Sequence, residues 1–95
     1  MISCYKFRWV IVDDYSITST KITIPSEHMP DHNVSAAILV RGSNANSCRI
    51  GTMILSTSSR QITFYTVNQY NSTGYGMSGC AVGERVNGQL MWVIN

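Results

Sequence analysis

The sequence predicts an all-β domain: a single antiparallel β-sandwich of about seven strands over residues 1–95, ending in an Asn-Gly hairpin. Three observations predict it. Short runs rich in Val, Ile, Thr, Tyr, Phe and Trp recur at the spacing of a sandwich or barrel, and no stretch sustains a 3.6-residue apolar period. Polar, Gly- or Pro-bearing segments punctuate those runs. Finally, Asn87-Gly88 stands between two strand-forming runs, and Asn-Gly tolerates the positive φ angles of a type I′ turn, so Met77–Val86 and Gln89–Ile94 read as a closing hairpin.

The elements follow in order. Cys4–Val12 alternates, with Tyr5, Phe7, Trp9 and Ile11 on one face and Lys6 and Arg8 on the other, the pattern of a half-buried strand. Asp13–Ser16 reads as a turn, and Ile17–Ile24 as a second strand paired back onto the first and stopped by Pro25. Two prolines and no period make residues 25–33 a loop. Val34–Arg41 is almost continuously apolar, as in a central strand covered on both faces. After the polar loop Gly42–Ser47, Cys48–Leu55 and Arg60–Val67 form a hairpin across a turn at Ser56–Ser59, and Asn68–Gly76 is the longest polar loop.

The totals exclude several function classes. A chain of 95 residues forms one domain with a thin core, burying only about 60 to 65 % of its unfolded surface. Charged residues are 13 %, about half the usual ~25 %, so hydroxyls and amides solvate the surface and self-association gains apolar burial. The net charge of +2 comes from scattered residues, with no basic run to follow a phosphate backbone, which argues against nucleic acid. The apolar runs Ala36–Val40 and Leu90–Ile94 fall far short of the ~20 residues of a membrane-spanning helix, so no membrane insertion is expected. Lys6 and Arg8 interrupt any signal-peptide core, leaving release by lysis as a route outside the cell. Cys4, Cys48 and Cys80 are far apart and odd in number; they read as buried free thiols, with one disulfide plus a spare thiol left open.

Chemical motifs do not survive their context. Gly74, Gly76 and Gly79 spell GxGxxG, yet no helix follows and no β-α-β unit surrounds them. Glu27, His28, Asp31 and His32 crowd four potential metal ligands together, but Pro30 breaks the His-x3-His helical geometry, so no metal or other cofactor is expected. No Ser lies in a GxSxG elbow, and Asp13-Asp14 reads as a surface turn, so no catalytic residue is assigned and the chain is expected not to be an enzyme. The sequons at Asn33 and Asn71 carry little weight without a signal peptide. The loops around Asn44, Asn46 and Arg49, and around Tyr70, Asn71 and Tyr75, combine amides, hydroxyls and tyrosines, the groups that bond sugar hydroxyls and stack on sugar faces; these six are the candidate ligand-binding residues.

The run from Ile22-Thr23-Ile24-Pro25, through Ala36-Ala37-Ile38-Leu39-Val40 with the following Gly42, to Ile62-Thr63-Phe64-Tyr65 and Met91-Trp92-Val93-Ile94 resembles the C-terminal knob of bacteriophage tail fibres and related small trimeric lectin-like sandwiches. The His-x-His iron site of some fibre tips has no counterpart in this sequence. The resemblance implies a homotrimeric receptor-binding tip on a virion, recognising bacterial surface glycan or an outer-membrane protein without chemistry. Trimerisation would multiply weak contacts. The alternative is a structural virion protein, a capsid decoration or tail-assembly component with no ligand of its own. Met1 just before the first strand fits either a fragment of a longer fibre or a small separate subunit.

Overall fold

A computed structural model of the chain describes residues 6–42, 48–67 and 77–94. Those residues form one antiparallel sheet, curled into a half-barrel, with no α-helix among them. The strands are β1 (Lys6–Ser16), β2 (Ile22–Thr23), β3 (Val34–Arg41), β4 (Cys48–Leu55), β5 (Gln61–Val67), β6 (Met77–Gly79) and β7 (Arg85–Ile94). They lie in the order β1-β7-β3-β4-β5-β2, and β6 pairs with β5 beyond the end of β2.

The expected two-layer sandwich is therefore a single layer bent around its own core. Alternation decides which side chains go inside: Val40, Met53, Leu55, Ile62, Val86, Leu90 and Trp92 come from every second position of their strands and are buried on the concave face. A row across that face explains the bend. Ile38 lies opposite Gly88 on one side and Gly51 on the other, with Val12 and Thr66 beyond them. A Cβ at Gly88 would meet Ile38 Cγ2 at 2.5 Å, and one at Gly51 would overlap the Tyr65 carbonyl oxygen and the Val40 side chain. Without side chains at those positions, the sheet folds tightly over Ile38.

This is why the Asn-Gly hairpin does not form. Asn87 and Gly88 lie inside β7, and the strand runs through them without a turn. Gly88 supplies space for Ile38, and the only glycine with positive φ among the described residues is Gly83. The Asn87 side chain donates to Asp13 Oδ1 at 2.9 Å on the opposite face.

The first third of the chain also departs from expectation. β1 continues through Asp13–Ser16, where a turn was expected, because two residues bulge against one of β7 and Asp14 takes a φ of 52°. The bulge returns Tyr15 to the inside, where its ring meets Phe64 with centroids 5.9 Å apart. The second strand shrinks to β2 and pairs with β5, so the expected β1–β2 hairpin gives way to a crossing of the half-barrel. The following segment covers the core: Ile24 and Pro30 are buried, and the Trp92 indole donates to the His28 carbonyl at 2.7 Å. β3 and β4 match their expected bounds, and β3 is central, but its outer residues Ala37 and Leu39 face solvent.

Candidate functional site

The strands position two contrasting surfaces at opposite ends of the sheet. β7 pairs with β3 only from Arg85–Arg41 to Gly88–Ile38; from Gln89 onward it pairs only with β1 among the described residues. Residues 6–12 and 88–94 thus form a two-stranded ribbon running away from the end marked by Arg41 and Arg85.

The ribbon's outer face is apolar and open. Phe7 lies opposite Val93 and Trp9 opposite Met91, with Ile11 next in line opposite Gln89. All five apolar side chains are exposed, Trp9 and Ile11 at 61 %. Sequence alternation grouped Phe7, Trp9 and Ile11 on one face of a half-buried strand, and the structure leaves that face exposed. The inward side chains are instead Val10 and Val12, beside Arg8, whose Nε donates to His28 Nδ1 at 2.8 Å. Arg8, Pro25, His28 and Trp92 border a groove of about 180 Å³ along β1. The missed signal is that β7 is apolar at odd and even positions alike from Leu90 to Ile94, so both sides of the ribbon carry large apolar side chains and alternation in β1 does not say which side is covered.

The opposite end is polar. β3 ends at Arg41 and β4 begins at Cys48, while β5 ends at Val67 and β6 begins at Met77; the pairings Gly51–Thr66 and Tyr65–Gly79 put these four termini at the same end of the sheet. The termini flank both candidate recognition loops. Asn44, Asn46, Tyr70, Asn71 and Tyr75 lie outside the described residues. Arg49 lies within them: it is the second residue of β4, is exposed, and forms an ion pair with Glu84. Asp14 bridges Arg41 and Arg85, the latter at 2.7 Å, so this end carries charge of both signs.

The other sequence candidates separate. His28 bonds to Arg8, while His32 contacts the Asp31 carboxyl at 2.6 Å; that hydrogen bond, and the charge of His32, hold the Asp31 carboxyl below its ordinary value. Among the described residues no group of three or more His, Cys, Asp or Glu side chains converges. Cys48 and Cys80 are both free thiols, and Cys48 is exposed where a buried thiol was expected. Burial, with a further push from Glu84, raises the Cys80 thiol above its ordinary value despite the opposing Arg49. Cys4, Gly74 and Gly76 lie outside the described residues, and Gly79 ends β6, a strand position and not a phosphate-binding turn before a helix. No protein-family model, curated protein or solved structure matches this chain.

Proposed function

We propose that this chain is a non-enzymatic receptor-binding module at the tip of a viral tail fibre, working as a homotrimer. In this reading the apolar ribbon is the end that is buried in the assembly, and the polar end carries the loops that touch the host surface. The observation that carries it is the separation of the two: an uncharged apolar face at residues 7–11 and 91–93, and the flanks of both candidate loops together at the other end. A binding tip needs one surface to bury and another to present. The contact residues are Asn44, Asn46, Arg49, Tyr70, Asn71 and Tyr75, and the partner is bacterial surface glycan or an outer-membrane protein. Weak contacts repeated over three chains would offset poor single-site affinity.

A cell-attachment assay or glycan array with Tyr70→Ala and Tyr75→Ala, with mass followed by light scattering, tests this reading. Attachment is expected to fall while mass is retained; unchanged attachment dismisses the loops. The breadth of the exposed apolar face favours one second reading, a structural virion protein that buries this face against other particle proteins and binds no host surface.

A further inference from the structure

Sheet faces that remain in water are ordinarily polar, so the β1/β7 ribbon presents a physical problem. Leu90, Trp92 and Ile94 are buried on its inner face, yet Phe7 is 58 %, Met91 60 % and Val93 39 % exposed on the outer one. With Trp9 and Ile11, these side chains leave on the order of 600 Å² of apolar surface in one patch. That is the upper end of what a lone soluble domain exposes and approaches the ~800 Å² per partner of a standard protein interface.

The patch is also prepared for drying. The one polar atom among its five side chains, the Trp9 indole nitrogen, donates to Gln89 Oε1 of the same chain at 3.0 Å. Removing water from the ring therefore strands no donor. At the border toward the polar end the Asn87 amide donates to Asp13 and accepts from Arg41.

We propose that this face is an interface between copies of this chain, with the Phe7, Trp9, Ile11, Met91 and Val93 cluster of one copy packed against the same cluster of another. An uncharged patch is self-complementary, whereas a charged one would repel its own copy. A layer supplied by a second chain completes the two-sided burial that the ribbon's sequence demands and that a thin single-sheet core does not supply. The inference rests on the self-association in the reading above and not on host recognition.

The test is light scattering of the full chain up to about 100 µM, where mass action favours assembly, alongside the Trp9→Glu and Met91→Lys variants and circular dichroism of each. The parent chain is expected at a multiple of its 10.6 kDa mass, and the variants at the monomer mass with an unchanged β spectrum. Self-affinity is expected to weaken roughly 30-fold or more, the loss that marks an interface hot spot. Trp9 fluorescence in the parent should shift to the blue as concentration rises, and Trp9→Glu should abolish that shift. A monomeric parent at the highest concentration overturns the proposal. So do variants that keep the parent's mass, or a monomer whose tryptophan emission shifts only with phosphatidylcholine vesicles. A monomer that still attaches to cells overturns this interface but leaves host recognition standing; an assembled chain indifferent to every cell supports the interface and sinks the recognition reading.

Discussion

Trp9 and Trp92 occupy the same two-stranded ribbon, each with its indole N–H satisfied inside the chain, yet one is 61 % exposed and the other 4 %. The difference lies in what covers each face. Trp92 is buried in the curl of the sheet and bonds to the segment that carries Ile24 and His28, while Trp9 stands on the exposed side of β1. Large apolar side chains stand on both sides of the ribbon, so the direction of bending separates the buried ring from the exposed one.

The sharpest way to break this comparison is truncation of both rings. Trp92→Ala is expected to cost about 3–5 kcal/mol, a large part of the ~5–15 kcal/mol that keeps a small domain folded, whereas Trp9→Ala should cost less than about 1 kcal/mol in the dissociated chain. Urea unfolding at low protein concentration checks both, and equal losses would mean that the two faces have been assigned wrongly.

The glycine row that sets the bend is the next target. Gly88→Ala would press a methyl against Ile38, and overpacking of this kind costs about 1–3 kcal/mol; the thermal midpoint should fall by roughly 4–8 °C per kcal/mol. An unchanged midpoint would show that the curl does not depend on that gap. Pairing Gly88→Ala with Ile38→Ala, which removes the Cγ2 that the new methyl would meet, should cost less than the sum of the two single losses, because both act on the same contact.

A smaller effect, of opposite sign, is expected away from both faces. Arg60 closes the β4–β5 turn with a φ of 58°, a conformation that costs a non-glycine residue about 1 kcal/mol. Arg60→Gly should recover up to about that much, read as a higher urea midpoint, and a loss of stability would mean that the arginine side chain matters more than its backbone. The smallest effect is chemical. Cys48 is exposed and Cys80 half-buried with a raised pKa, so iodoacetamide should modify Cys48 before Cys80. The rate-versus-pH curve of Cys80 should lie at higher pH in the folded chain than in urea, because burial disfavours its thiolate. Superimposed curves would contradict that burial.

Much of the strand content is legible in the amino-acid sequence. Val34–Arg41 and Cys48–Leu55 were placed at their observed bounds because long apolar or alternating runs between polar loops leave little choice of element. Asn87-Gly88 misled for a specific reason: the dipeptide permits a tight turn but does not compel one, and the demand for room beside Ile38 outweighed its turn preference. Asp13–Ser16 misled similarly, since a bulge and a turn draw on the same polar residues. Of the candidate recognition residues only Arg49 lies among those described, while the shared face of Phe7, Trp9 and Ile11 was legible in the alternation but its exposure was not.

The sequence by itself determined that this chain makes antiparallel strands and which residues share a side of each, because side-chain direction alternates along extended backbone regardless of context. Tertiary structure alone decided that the strands join one curled sheet, that Trp92 lies within and Trp9 without, and that the loop-bearing end is remote from the apolar ribbon. Those outcomes depend on strand order and on the direction of curvature, set by contacts between residues far apart in the chain, such as Ile38 with Gly51 and Gly88, which no local pattern encodes.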